Sequence, residues 1–153
     1  QERLRHAATM LALAANRTEP NLRADEALDW ALRKRWIGID GEGRAMIAAA
    51  ASANVAAKAE FPALERIAPP ASLRKGRVWG LAVRLARRFS GGTRDALEQS
   101  ALTVEDGQLI LSLHDGIAAL YTQQVEKDHK ALAQALGLTP AQRVIETERR
   151  ATG

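Results

Sequence analysis

The sequence of 153 residues contains no cysteine and only three histidines. The absence of cysteine excludes disulfides, thiolate metal sites and cysteine nucleophiles, and it is typical of a protein from a reducing compartment such as the cytoplasm. His6, His114 and His129 lie far apart in the sequence, and no H-E-x-x-H pattern or cluster of acids accompanies them. We therefore predict no catalytic residue, no metal site and no cofactor in this chain.

The sequence also lacks a long hydrophobic run. The longest, residues 45–51, is mostly alanine and falls well short of the roughly 20 apolar residues that a membrane-spanning helix requires. A hydrophobic content of 46% and a charged content of 26% are ordinary for one well-buried domain, so we expect no membrane partner. Because the chain begins at Gln1, without a signal peptide, we expect a cytoplasmic domain of a longer protein.

Acids are absent from residues 69–90, which carry many cations. Prolines at the start and Gly91-Gly92 at the end predict a helix over about residues 72–90, apolar on one face. We expect the opposite face of this helix to bind a polyanion through Arg74, Arg77, Arg84, Arg87 and Arg88. The cations at the end of an earlier helix, Arg33, Lys34 and Arg35, are expected to contribute less. The alternative is a basic face that only contacts solvent. Gly76 and Gly80 lie on the cationic flank, where a neighbouring helix or an anion could use the bare backbone.

Apolar spacing predicts three earlier helices, over residues 2–15, 23–35 and 43–58, with Asp40 capping the third. The period then changes from 3.6 to 2, and Asp106-Gly107 predicts a β-hairpin of residues 101–105 and 108–113. A long helix over residues 116–136 should follow and cover the hairpin, capped by Asp115 and ended by Gly137. Pro140 is expected to start one further helix with Val144 and Ile145, and residues 146–153 are expected to form a frayed or disordered tail.

These elements predict a mainly helical α+β fold. Residues 1–92 form a helical part, and residues 93–138 add the hairpin and its helix within the same compact unit. Residues 139–153 form a C-terminal tail.

Four segments, in order and spacing, carry a resemblance that spans nearly the whole chain. They are LRHAATMLALAA, WIGIDGEGRA, LRKGRVWGLAVRLARRFSGG and LTVEDGQLILSL. Together they resemble the carboxy-terminal part of the exopolyphosphatase and guanosine pentaphosphate phosphatase (Ppx/GppA) family. In that family an amino-terminal domain of the actin-like ATPase superfamily carries out Mg²⁺-dependent phosphate hydrolysis. The resemblance therefore implies a non-catalytic region whose partners are that domain, polyphosphate or a similar polyanion, and a second copy in a homodimer.

The family's helical domain resembles the HD phosphohydrolase fold, which holds a metal through a His-Asp pair. At the matching position of the first helix this chain has Ala12-Leu13, neither of which binds a cation. The resemblance thus implies a degenerate HD-like scaffold that assists polyphosphate binding or dimerisation. Two alternatives remain open: a helical nucleic-acid-binding module, since a nucleic acid backbone requires the same arginine face, and a purely structural dimerisation domain.

Overall fold

A computed structural model describes residues 1–56 and 62–146 of the chain. The chain divides into two compact units, Gln1–Arg84 and Leu85–Gly153, and the division falls inside a helix. The described elements are mainly helical with one three-stranded sheet, which confirms the predicted α+β class. None of the helices in the described ranges is long and apolar enough to cross a membrane.

The first unit contains the helices that the apolar spacing predicts. Helix α1 is Glu2–Ala14, followed by a 3₁₀ turn at Ala15–Arg17; α2 is Arg23–Arg33; α3 is Gly41–Val55; a 3₁₀ segment, Pro62–Arg66, precedes α4, Pro70–Ser90. Asp40 caps α3 as predicted, because its side chain accepts a hydrogen bond from the Gly43 amide at 2.8 Å. Residues 57 and 58 of the predicted third helix lie outside the described residues.

The core of the first unit centres on α3, which contacts both α1 and α2. Alanine is frequent in α3, and small side chains let neighbouring helices approach closely. Around it lie buried apolar residues from all three helices, including Ala8, Leu11, Ala27, Ala31, Ala45, Ile47, Ala48 and Ala51. Most of the side chains in this core are small alanines, so the helices pack close together instead of around a few large residues.

The second unit contains a short helix and the sheet. Helix α5 is Arg94–Glu98, strand β1 is Ser100–Glu105 and strand β2 is Gln108–His114. The strands pair antiparallel, with Leu102 opposite Leu111. Asp106 and Gly107 both have positive φ, of 47° and 75°, as the tightest hairpin turns require. The predicted hairpin is confirmed.

The predicted helix over residues 116–136 is wrong in its first third. Asp115–Leu120 is a 3₁₀ segment, and helix α6 is only Gln123–Leu136. Thr122 is extended and its hydroxyl accepts from the Val125 amide at 3.4 Å, so α6 has its own cap and Asp115 does not start it. The predicted end is confirmed, because Gly137 adopts φ 71°.

The segment after α6 corrects the predicted helix or tail from Pro140. Thr139–Ile145 is strand β3, which pairs parallel to β2 and completes the order β1-β2-β3. Proline is tolerated there because β3 is an edge strand, and the β-branched Val144 and Ile145 suit the extended backbone. Residues 147–153 of the predicted tail lie outside the described residues.

Candidate polyanion-binding site

The arginines of α4 do not form one solvent-facing surface. Arg74 is exposed, whereas Arg77, Arg84, Arg87 and Arg88 are all half-buried and engaged in polar or electrostatic interactions. The expectation of a continuous cationic face opposite the apolar one is therefore wrong. Leu81, Leu85 and Phe89 are the buried apolar residues of this helix.

The cationic flank of α4 contains the contact with α3. A Cβ built on Gly80 would lie 2.9 Å from the Cα of Ala50, and one built on Gly76 would lie 3.0 Å from the Cα of Met46. Both distances are well below carbon–carbon contact distance, so only glycine fits at these two positions. Of the two explanations for the bare backbone, a neighbouring helix is the one that the structure supports.

The side chain of Arg84 caps the carboxyl-terminal end of α3. Its Nη1 donates to the carbonyl oxygens of Asn54 and Val55, at 2.9 and 2.7 Å. Carbonyls in the last turn of a helix have no partner within the helix, and a cation there also complements the helix dipole. Arg84 thus stabilises the first unit, and its removal would change the fold as well as any binding.

Asn54 connects the same end of α3 to the first helix. Its side chain is fully buried, and Nδ2 donates to the carbonyl oxygen of Ala12 at 3.0 Å. Ala12 is itself buried and Leu13 is half-exposed. At the position where the family resemblance places a His-Asp pair, this chain therefore has a backbone carbonyl that accepts a helix-to-helix hydrogen bond, followed by an exposed leucine.

Arg88 belongs to an ion pair in the second unit. Its Nε lies 2.9 Å from Oδ2 of Asp128, whose side chain is 5% exposed, and its Nη1 donates to Gln124. A carboxylate that is almost completely buried needs a cationic partner. This arginine therefore holds the end of α4 to α6, and we assign it a structural role.

The cations that end α2 are more accessible. Arg33 has a side chain 82% exposed and pairs with Asp29 at 3.1 Å, one turn earlier. Lys34 Nζ lies over the ring of Trp30, 5.5 Å from its centroid, and Arg35 is exposed. Exposed ion pairs contribute little stability, so these three cations can turn toward an anion at small cost.

Lys75 is a cation that the prediction omitted. It is exposed beside Arg74 and its Nζ bonds the side chain of Gln1. The signal was present, since Lys75 lies in the same acid-free stretch.

Charge is divided unequally between the two units. Residues 1–84 contain 14 lysines and arginines against 9 acids, a net charge of +5, while residues 85–153 contain 8 against 9, a net charge of −1. The first unit thus carries the whole positive surplus of the chain.

The histidines do not come together. His6 is exposed, His114 is half-buried and His129 is fully buried, where its Nε2 donates to the Leu109 carbonyl at 2.9 Å. Tyr121 donates its hydroxyl to Nδ1 of His129 at 2.8 Å, which fixes the neutral ring. No group of three or more potential metal ligands occurs within residues 1–56 and 62–146.

Burial sets the pKa values of this pair. It lowers the pKa of His129, because the charged ring is poorly solvated inside the unit, and the Leu109 hydrogen bond only partly opposes this. The pKa of Tyr121 is raised, mainly by burial and secondly by the nearby Glu126 carboxylate. The hydrogen bond from His129 to the Leu109 carbonyl joins α6 to β2, so His129 is a structural residue, and no sequence pattern indicated that role.

Comparison of the sequence with protein-family models and with curated proteins found no match. Membership of the exopolyphosphatase family stays a prediction from the four sequence segments.

Proposed function

We propose that this chain is the carboxy-terminal, non-catalytic domain of an exopolyphosphatase-type phosphohydrolase of the Ppx/GppA family. The parent enzyme would release phosphate from polyphosphate or guanosine pentaphosphate in the cytoplasm, with Mg²⁺ bound by its amino-terminal actin-like domain. This chain would hold the polyanion and contribute to a homodimer. The sequence resemblance supports the family, and the mainly helical α+β architecture is the class that the resemblance implies.

The single observation that carries the polyanion proposal is the charge surplus of the first unit. Within that unit the exposed cations are the ones able to reach a ligand, and we assign the contacts to Arg33, Lys34, Arg35 and Arg74, with Lys75 added. Guanidinium groups offer paired donors that match phosphate oxygens, and several on one unit suit an extended chain of phosphates.

The remaining arginines of α4 have a smaller part in this proposal. Arg84 and Arg88 are engaged by helix carbonyls and by Asp128, so binding a polyanion would require giving up those bonds. Arg77 and Arg87 are half-buried. We therefore assign these four arginines no direct contact with the polyanion.

The test is a titration of the full chain with long-chain polyphosphate at two salt concentrations. Counterion release lowers log K by about 0.7 to 0.9 per neutralised nucleic acid phosphate for each unit of log salt, so the five assigned contacts would give a slope of about −4 if the rule transfers to polyphosphate. The variant Arg33→Gln/Lys34→Gln/Arg35→Gln should bind about tenfold or more weakly and lose about two units of slope. Arg94→Gln/Lys127→Gln/Lys130→Gln, which removes three exposed cations of the second unit, is the matched control and should bind like wild type.

Competition separates this function from the alternatives. A single-stranded nucleic acid of equal charge should displace polyphosphate poorly, because the phosphate spacing differs. Equal or better displacement would favour the nucleic-acid-binding module. Absence of any salt-dependent binding would leave a structural dimerisation domain with a solvated basic surface.

A further inference from the structure

The outer edge of β1 is unprotected. The sheet order places β1 at an edge, and no strand in residues 1–56 or 62–146 pairs with its outer side. Its sequence, SALTVE, has no proline, lysine or arginine, and residues 101–105 are all exposed. The opposite edge, β3, contains Pro140, a residue that commonly prevents edge pairing, whereas the charge of Arg143 is paired with Glu105 of β1 at 2.8 Å. The two edges of this sheet are therefore not equivalent.

The hydrogen-bond pattern identifies which backbone groups face outward. The His114 amide donates to the Gln99 carbonyl at 3.1 Å, so Gln99, and every second residue after it, directs its backbone groups toward β2. The intervening residues, Ser100, Leu102 and Val104, must direct their N–H and C=O groups away from the sheet. Leu102 is 43% exposed and Val104 is 62% exposed, so the free edge also carries apolar side chains.

We propose that this edge pairs antiparallel with β1 of a second copy of the chain, so that two sheets join into one of six strands. The outward residues match when Leu102 pairs with Leu102 across a two-fold axis and Ser100 pairs with Val104. That register forms on the order of six backbone hydrogen bonds. It also places Glu105 opposite Gln99, so no like charges meet.

The occupant is a second copy because the edge is complementary to itself. A two-fold axis at Leu102 pairs every outward donor with an outward acceptor and buries leucine against leucine. This surface gives a location to the homodimer of the proposed function, yet it contains none of the cations assigned to polyphosphate. The two proposals can therefore be tested separately. Variants that lose the dimer should leave polyphosphate binding unchanged, and variants that lose polyphosphate binding should leave the dimer unchanged.

The first test uses the absence of cysteine in the chain. In the proposed register the two Leu102 Cα atoms lie about 5.5 Å apart, within disulfide range, so Leu102→Cys should oxidise to a covalent dimer. Val104→Cys is the matched control, because Val104 is displaced from its own copy by four residues, about 13 Å along the strand. We expect Leu102→Cys to cross-link at least about tenfold faster. Equal rates would overturn the proposal.

The second test is sedimentation of the full chain over a range of concentrations. Wild type should dimerise, while Leu102→Lys and Leu102→Glu should each raise the dimer dissociation constant about tenfold or more, because like charges meet at the axis. An equimolar mixture of the two variants should restore the dimer. A monomeric wild type, variants that dimerise like wild type, or a mixture that stays monomeric would each contradict the proposed edge pairing. Circular dichroism melting verifies that both variants are folded.

Discussion

Replacement of Gly80 by alanine tests the close contact between α3 and α4. In an exposed helix the change would stabilise by about 1 kcal/mol, because alanine is the better helix former. Here the new methyl would lie 2.9 Å from the Cα of Ala50 and closer still to its carbonyl oxygen, so the two backbones must separate. Overpacking of a core costs about 1–3 kcal/mol. We predict a net loss of about 1–2 kcal/mol in the free energy of unfolding.

Urea unfolding of the full chain measures this loss. Gly116→Ala is the control, because a Cβ at Gly116 has no neighbour within 4 Å, and it should leave the stability unchanged or slightly raised. Gly76→Ala should resemble Gly80→Ala. The double variant should cost less than the sum of the two, since one displacement of the helix relieves both clashes. A Gly80→Ala protein as stable as wild type would refute the close approach of the two helices.

Three further changes test other parts of the fold. Gly107→Val should lower the free energy of unfolding by about 1–2 kcal/mol, because a β-branched residue resists the φ of 75°; an unchanged melting temperature would contradict the turn. Arg88→Gln should cost about 2 kcal/mol by leaving the Asp128 carboxylate without its cation, and a double-mutant cycle with Asp128→Asn should reveal coupling between them. Because burial lowers the pKa of His129, the unfolded chain binds more protons than the folded chain near the unfolded pKa of about 6.5. The stability that neutral His129 contributes is therefore complete above about pH 6.5 and is lost as the pH falls through the folded pKa. Urea titrations at pH 7.5 and 5 should show this loss, and His129→Gln should reduce it.

Local signals in the sequence predicted the parts of the fold that depend on a few adjacent residues. Asp40 as a helix cap, Asp106-Gly107 as a hairpin turn and Gly137 as a helix end are all confirmed. Each acts through its own backbone conformation or through a hydrogen bond to a residue close in sequence. Such effects are visible without knowledge of the tertiary structure.

Errors arose where a partner distant in sequence decides the outcome. Strand β3 pairs with β2 across an intervening helix, and a parallel pairing of this kind leaves no turn signal. The helical wheel of α4 placed arginines and glycines on one flank, but it did not reveal that α3 packs there. The bonds of Arg84 to α3 and of Arg88 to Asp128 join residues 29 to 40 positions apart. Sequence alone therefore identified the cations and misjudged which of them face solvent.

Chemical-shift mapping with ¹⁵N-labelled protein and long-chain polyphosphate tests the central claim most directly. The account predicts that amide shifts concentrate in the first unit, at Arg33, Lys34, Arg35, Arg74 and Lys75, and that they fade as salt is added. Shifts concentrated in the second unit, around Lys127 and Lys130, or no shifts at low salt, would contradict the assignment of polyanion binding to the first unit.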